Sequence, residues 1–432
     1  MKYFGSSGIR GVVNRELTLE LTMLVGRVVG SSYEKVLVAR DARTSKDMIA
    51  KALISGIIAS GGNVFDLGVA PTPVAGYLAR DFDCCAVLTA SHNPPEYNCI
   101  KLINPCGSGF SERQMEEIEE EIEAKNYRNP GYAGIGKYSS AEHLKENYIE
   151  KLVSEFGKIE RKVVVDAGNG TAGEFTPRVL GALGCRVLSL NAQPDGTFPW
   201  RESEPLPEHL RTLSRAVLSE GCDCGIAHDG DADRLAVVAE NGNFVEPEIL
   251  LCHFAREAKA GKVVVSVDTT SAIFTLLGEE RVEVTKIGDV FVSARLKEVN
   301  GVFGGEPSGT YIFPNHSYCP DGIYAAVKLI SEHQSISEIA AGLPKVCQKK
   351  GSLRYARERR SEIENRIFEA LKQLGGRVIN IDGIKLIFED GSILVRFSGT
   401  EPKIRISVEG GNPEKCEKLY EQAKDVVERC LA

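Results

Sequence analysis

Residues 36–45 read VLVARDARTS: a β-branched apolar run, then Asp41, then small and polar residues leading into a stretch with helical spacing. The same order returns as VVVDAGNGTAG at 163–173 and as VVVSVDTTSA at 263–272. One strand–turn–helix unit is therefore used three times. About 40 to 60 residues after each, a second apolar run ends in an unusual polar loop: AVLTASHNP (86–94), GIAHDGDADR (225–234) and GVFGGEPSG (301–309). Continuous apolar strands alternating with helical stretches such as 111–125 and 208–220 predict parallel or mixed sheets with helices on both faces. Ligands in such sheets sit beyond the carboxyl ends of the strands, where these loops fall.

From about Gly351 the pattern changes to a charged helix over 361–374, short strands at 385–388 and 393–397, and an amphipathic helix from Pro413. The expected fold class is α/β with four domains around a central cleft: three similar mixed α/β sandwiches and a C-terminal α+β domain. The boundaries are expected at 1–145, 146–242, 243–349 and 350–432, with a hinge near Lys349 to Gly351.

A chain of 432 residues exceeds what one hydrophobic core supports. Hydrophobic residues make up 43% and charged residues 26%, the composition of a globular protein. No apolar run approaches the roughly 20 residues of a membrane span, and no apolar core follows the lysine in MKYFGSSGIRG, so the chain reads as cytoplasmic without a signal peptide. A net charge of −8 argues against general nucleic-acid affinity and leaves small anions as ligands. None of the 12 cysteines forms a CxxC pair, so they read as reduced core residues.

Asp229, Asp231 and Asp233 place a carboxylate at every second position after a strand, so that they can converge on one hard cation such as Mg²⁺. A calcium loop is excluded because its sixth position, which needs Gly, is Arg234. A solvated acidic turn and an aspartyl phosphatase remain as other readings. GNGTAG at 168–173 matches a dinucleotide spacing, but the acid expected roughly 20 residues on is absent, and a turn that needs small residues explains it better. In RFSGTEPKIR (396–405), Arg396, Ser398, Gly399, Thr400, Lys403 and Arg405 suit a phosphate. Glu306 and Ser308 suit sugar hydroxyls. Ser91 is either a turn residue or a nucleophile. Together the loops point to phosphoryl transfer on a sugar phosphate, with Lys101 better placed than the sequence neighbour His92 to assist the serine.

The four stretches TASHNPPEYNCIK, DGDADR, GEPSG and RFSGTEP, in that order across essentially the whole chain, resemble the signature loops of the α-D-phosphohexomutase superfamily, which includes phosphoglucomutases, phosphomannomutases and phosphoglucosamine mutases. The resemblance implies an intramolecular phosphotransferase in which Ser91 is a phosphoserine. Its phosphate and Asp229, Asp231 and Asp233 bind Mg²⁺, and a hexose 1,6-bisphosphate serves as intermediate and activator. It implies that Arg10, Lys101, Arg234 and His92 belong to the catalytic centre. Gly288, Glu306 and Ser308 would bind the sugar, and Arg396, Ser398, Gly399, Thr400 and Arg405 the phosphate that does not react. The partner is a hexose phosphate, not nucleic acid or membrane, and the chain is a monomer or homodimer.

Two positions depart from the pattern. Cys99 fills a place where many members have Gly, and Thr310 follows Ser308-Gly309 where many phosphomannomutases have His, with His316 as a possible substitute. The compact chain, the SGTEP form of the phosphate loop and the absence of His at Thr310 lean toward glucosamine phosphate, with phosphomannomutase/phosphoglucomutase activity as the alternative. A Mg²⁺-dependent sugar phosphatase and a non-catalytic sugar-phosphate-binding protein are more remote readings.

Overall fold

The computed structural model describes residues 2–5, 7–343, 347–356, 359–397 and 402–431. Ser398, Gly399 and Thr400 lie outside the described residues. Four sheets follow one another along the chain, three mixed and the last antiparallel. The first has six strands in the order Ile9–Val12, Tyr97–Ile103, Cys84–Leu88, Lys35–Arg40, Asn63–Val69, Tyr138–Ser140. The second has five, with Lys162–Asp166 parallel to Arg186–Leu190 and Cys224–Ala227, and Ala236–Ala239 antiparallel beside the latter. The third aligns Val282–Thr285, Val263–Ser266 and Phe303–Glu306 in parallel and adds Thr310–Ile312 antiparallel.

The predicted unit is present three times: Lys35–Arg40, Lys162–Asp166 and Val263–Ser266 lead into helices Lys46–Ala59, Ala172–Ala182 and Ala272–Leu277. Burial on both faces explains the unbroken apolar runs; every residue of Cys84–Leu88, Cys224–Ala227 and Val263–Ser266 is buried. The three special loops occupy one topological position. Each joins a parallel strand to the antiparallel strand beside it, at the carboxyl end of the sheet.

Sequence chemistry sets the helix ends. Ser111 caps Glu112–Ala124 in a capping box with Gln114, as the S-x-x-Q spacing dictates. Gly26, in the helix Leu19–Ser32, lets it pack backbone to backbone on Lys46–Ala59, since a Cβ there would stand 2.3 Å from the Leu53 carbonyl oxygen. Cys99 lies inside the strand Tyr97–Ile103, opposite Arg10, so no left-handed backbone is required of it.

One apolar core runs through the first three sheets and includes Leu37, Val163 and Val263. The helix Lys145–Phe156 packs against Thr72–Leu78, Ala172–Ala182 and Gly322–Ile330, and its Tyr148 hydroxyl donates to the Asp321 carboxylate at 2.9 Å. The final sheet, ordered Cys347–Arg354, Lys403–Gly410, Gly391–Phe397, Ile384–Phe388, Arg377–Ile379, has its own core with the helices Arg360–Lys372 and Pro413–Leu431. Its described contacts with the third sheet's layer are polar: Lys385 Nζ donates to the Val267 and Thr269 carbonyls, and Glu409 accepts from the Ser271 amide at 2.8 Å. Lys349 to Gly351 sit within the paired strand Cys347–Arg354, so a hinge there would break the ladder with Lys403–Gly410. Among the described residues no helix is long and apolar enough to cross a membrane.

Candidate active site

The chain crosses from Cys84–Leu88 to Tyr97–Ile103 through a loop in which Ser91 takes a left-handed backbone, φ 51°. A non-glycine residue pays for that conformation, and Ser91 is held in it by three hydrogen bonds. Its amide donates to Thr89 Oγ1 at 2.9 Å; its carbonyl accepts from Arg43 Nη2 and Ser203 Oγ, each at 2.9 Å. The side chain is thereby aimed across the domain boundary, where Oγ donates to Asp229 Oδ2 at 2.5 Å. Arg43, fully buried, grips the rest of the loop through the carbonyls of Asn93, Pro94 and Tyr97.

Asp229, Asp231 and Asp233 are buried and bring one carboxylate oxygen each to within 4.8 Å of one another. Thr72 Oγ1 donates to Asp231 Oδ2 at 2.6 Å, and Lys101 Nζ bridges Asp231 Oδ2 and Asp233 Oδ2 at 3.0 and 3.1 Å. The other oxygens, Oδ1 of Asp231 and of Asp233, are buried with no partner among the described residues. Such orphaned acceptors are costly unless something fills the gap, and a hard divalent cation suits the donor set. Burial, reinforced by the other two carboxylates, pushes Asp229 well above the ordinary carboxyl range. Asp231 is held below that range: burial pushes it upward, but Lys101 and the Thr72 hydroxyl outweigh burial. Burial likewise works against the Lys101 charge, and the adjoining carboxylates overcome it.

The remaining predicted residues surround this cluster. Arg10 Nη1 donates to Asn93 Oδ1 at 2.7 Å, and Arg234 Nη1 to Glu204 Oε1 at 2.9 Å. The His92 ring lies 3.4 Å from Ser91 Oγ, and burial followed by the charges of Arg234 and Arg10 pushes it down to about 3, so it is neutral. In the third domain Glu306 Oε1 accepts from the Gly288 amide at 2.7 Å. Burial, then the charges of Asp289 and Asp268, pushes Glu306 up to about 8. Ser308 is exposed, its hydroxyl 3.0 Å from Thr310 Oγ1. His316 does not stand in for the missing histidine at 310. It is buried between the Tyr77 and Tyr324 rings, 5.0 and 4.3 Å away, with Nε2 bonded to Asp321 at 3.1 Å.

In the final sheet, Arg396 and Arg405 face each other on paired strands. Like charges in direct register are unfavourable unless an anion lies between them. With Lys350 and Lys403 they line a cleft whose other wall includes Ile287 and Pro307. Arg396 Nη2 donates to Asp382 at 2.7 Å, while its Nε is buried without a partner among the described residues.

The turn GNGTAG supports the cluster from below and holds no nucleotide pattern. Gly170 sits so close to the acidic loop that a Cβ would be 2.6 Å from the Gly230 carbonyl oxygen, and the Thr171 amide donates to that oxygen at 3.0 Å. Sequence reasoning missed Arg43, Thr72, Asp289, Ser203 and Glu204. Arg43 and Thr72 stand in the motifs DARTS and APTP, whose odd polar residues at strand ends were the available signal; Ser203 and Glu204 had none.

The phosphoglucomutase/phosphomannomutase domain families match the chain in order: α/β/α domain I over residues 1–129, domain II over 141–242, domain III over 248–347 and the C-terminal domain over 354–426. A protein of Methanocella arvoryzae described as a probable phosphoglucosamine mutase is 43% identical over 434 residues, covering 100% of this chain and 99% of its own. One of Methanosarcina barkeri with the same description is 44% identical over 439 residues, covering 100% of both chains. The crystal structure of a phosphoglucomutase/phosphomannomutase family protein from Burkholderia thailandensis superposes with a TM-score of 0.88 at 30% identity, over 100% of this chain and 97% of that one. Four domains in the same order, matched end to end by relatives at this identity, make the chain a member of the phosphoglucomutase/phosphomannomutase family.

Proposed function

We propose that the protein is a phosphoglucosamine mutase, moving phosphate reversibly between the 6- and 1-positions of glucosamine phosphate through a phosphoserine at Ser91 and a 1,6-bisphosphate. The observation that carries the reading is Ser91 Oγ, 2.5 Å from Asp229 at the mouth of a buried three-carboxylate cluster with two unpartnered oxygens. Asp229, Asp231, Asp233 and the serine phosphate would hold Mg²⁺. Its contribution is to neutralise charge on the phosphoryl oxygens.

The chain's own residues do the rest. In the forward half-reaction the bond from Ser91 Oγ to phosphorus breaks, one from a sugar hydroxyl oxygen forms, and the proton that hydroxyl loses restores the Ser91 hydroxyl; the second half-reaction returns the other phosphate to Ser91 with the proton moving the opposite way. When it returns, the serine proton has a path to Asp229 Oδ2, whose ionised form a bound cation would favour. Lys101, kept charged by Asp231 and Asp233, places a cation beside the transferring group. Arg396 and Arg405 receive the phosphate that is not reacting. Glu306 and Gly288 present a carboxyl and a backbone amide to the sugar.

Three observations support the amino sugar: the description shared by full-length relatives, the absence of histidine at Thr310, and a buried carboxyl at Glu306 suited to an ammonium group. The test is kcat/KM for glucosamine, mannose and glucose phosphates, each primed with its own bisphosphate and Mg²⁺. A preference for glucosamine phosphate above about tenfold, roughly 1.4 kcal/mol at the transition state, is expected. A similar preference for mannose or glucose phosphate would overturn the substrate assignment.

A further inference from the structure

Residues 195–204 form neither helix nor strand, yet they are anchored at every turn. Gly196 lies against the turn that carries Arg43, where a Cβ would stand 2.4 Å from the Thr44 amide nitrogen. The Phe198 ring lies 5.3 Å from the Arg43 guanidinium. Arg201, buried, donates from Nε to Asp166 at 3.1 Å and from Nη2 to the His228 carbonyl, the residue just before Asp229. Glu204 holds Arg234 at 2.9 Å.

At the centre is Ser203, 4% exposed. Its hydroxyl donates to the Ser91 carbonyl at 2.9 Å and accepts from the Gly230 amide at 3.0 Å. The first partner belongs to the nucleophile loop of the first domain, the second to the acidic loop of the second. At Gly230 the approach is close: a Cβ there would lie 2.8 Å from both Ser203 Oγ and the Ser91 carbonyl oxygen. Ser91 is the residue whose left-handed backbone needs outside support, and the carbonyl that Ser203 holds is its own.

We infer that residues 195–204 are a clamp between the two loops and that Ser203 is a positioning residue for phosphoryl transfer, fixing the left-handed Ser91 against the acidic loop so that Oγ stays aimed at the carboxylate cluster. This rests on the reading of Ser91 as the phosphoryl carrier. Ser203 touches no substrate. It acts through the Ser91 carbonyl and the Gly230 amide, so its loss should change the aim of the nucleophile and leave the grip on the sugar phosphate intact.

The experiment compares wild type, Ser203→Ala, Ser203→Thr and the control Glu160→Gln, outside the clamp and with its side chain 75% exposed. It follows phosphate uptake on Ser91 from a hexose 1,6-bisphosphate by intact mass, steady-state kcat and KM, and melting temperature. Ser203→Ala is expected to slow both serine phosphorylation and kcat by roughly tenfold or more while KM stays within about twofold and the melting temperature is little changed. Ser203→Thr, which keeps the hydroxyl, is expected to recover much of the rate, and Glu160→Gln to match wild type. A phosphorylated wild type with an unimpaired Ser203→Ala overturns the inference alone, as does a loss of rate matched by a rise in KM. If Ser203→Ala does not fold, a folded Ser203→Thr as slow as a nucleophile deletion also overturns it. A wild type that takes no phosphate on Ser91 overturns the phosphoserine reading, and the inference with it.

Discussion

Replacing Thr72 with Val removes one hydroxyl and little else. Thr72 is 3% exposed, and its amide bond to the Asp231 carbonyl at 2.9 Å survives the change, so the loop keeps its place. What disappears is the 2.6 Å bond from Oγ1 to Asp231 Oδ2. A hydrogen bond to a charged group contributes about 1.5–3 kcal/mol, but Lys101 remains on the same oxygen at 3.0 Å, so the cost to folding should sit at or below the lower end. The larger effect falls on the metal. With Thr72 and Lys101 both on Oδ2, Oδ1 of Asp231 is turned toward the unpartnered space; with Lys101 alone the carboxylate can rotate. Partners that orient a ligand in this way are worth about 10- to 100-fold in metal affinity. Calorimetric titration of metal-free protein with Mg²⁺, or Mn²⁺ binding followed by electron paramagnetic resonance, should show affinity weakened by about tenfold, roughly 1.4 kcal/mol. Affinity within about twofold of wild type would refute the reasoning, whatever happened to turnover.

Lys101→Met leaves Asp231 and Asp233 without their shared cation and should cost about 3–5 kcal/mol in metal-free protein, with a larger Mg²⁺-dependent gain in melting temperature than wild type; equal gains would place the metal elsewhere. Glu306, pushed up to about 8 by burial and then Asp289 and Asp268, is neutral in the empty cleft at pH 7. An ammonium group beside it favours the ionised form, so glucosamine 6-phosphate should release a proton on binding and glucose 6-phosphate should not; calorimetry in buffers of different ionisation enthalpy distinguishes them, and equal release would count against Glu306 as the amino-sugar contact. Glu248, on the third domain, accepts a hydrogen bond from Gln348 Nε2 in the final sheet, and burial and then Glu409 of that sheet push it up to about 7. Because its folded value lies above the ordinary 4.5, the contact is fully favourable below pH 4.5 and weakens as pH rises through about 7. Melting profiles between pH 5 and 8 should show that decline in wild type but not in Glu248→Gln, and parallel profiles would remove Glu248 from the interface argument.

The loops at Ser91 and at Asp229 to Asp233 were legible because each is contiguous and chemically dense: a serine after a buried strand, and carboxylates at alternate positions. The threefold repeat was legible because buried parallel strands leave unbroken apolar runs. What escaped is what acts across distance. Thr72 meets Asp231 from 159 residues away, and Ser203 meets Ser91 from 112; a polar residue at a strand end marks Thr72, but no local pattern names its partner, and nothing local marks Ser203. Arg43 stands out in sequence as a polar residue at a strand end, but its role shows only in the guanidinium that holds four carbonyls of the Ser91 loop. His316 invited a functional reading because it was near the right position in sequence; Tyr77, Tyr148 and Tyr324, from three separate helices, enclose it instead. The strand Lys403–Gly410 was hidden because RFSGTEPKIR reads as one loop, although its last residues already pair with Gly391–Phe397.

The most direct test of the account is the mass of Ser91 itself. Wild type and Ser91→Ala are incubated with glucosamine 1,6-bisphosphate and Mg²⁺, then examined intact and as peptides. The account predicts about 80 Da on the peptide that contains Ser91 in wild type, lost on chasing with glucosamine phosphate, and neither mass gain nor mutase turnover in Ser91→Ala. A Ser91→Ala protein that turns over near the wild-type rate, or a phosphate found on Asp229 instead, would contradict it.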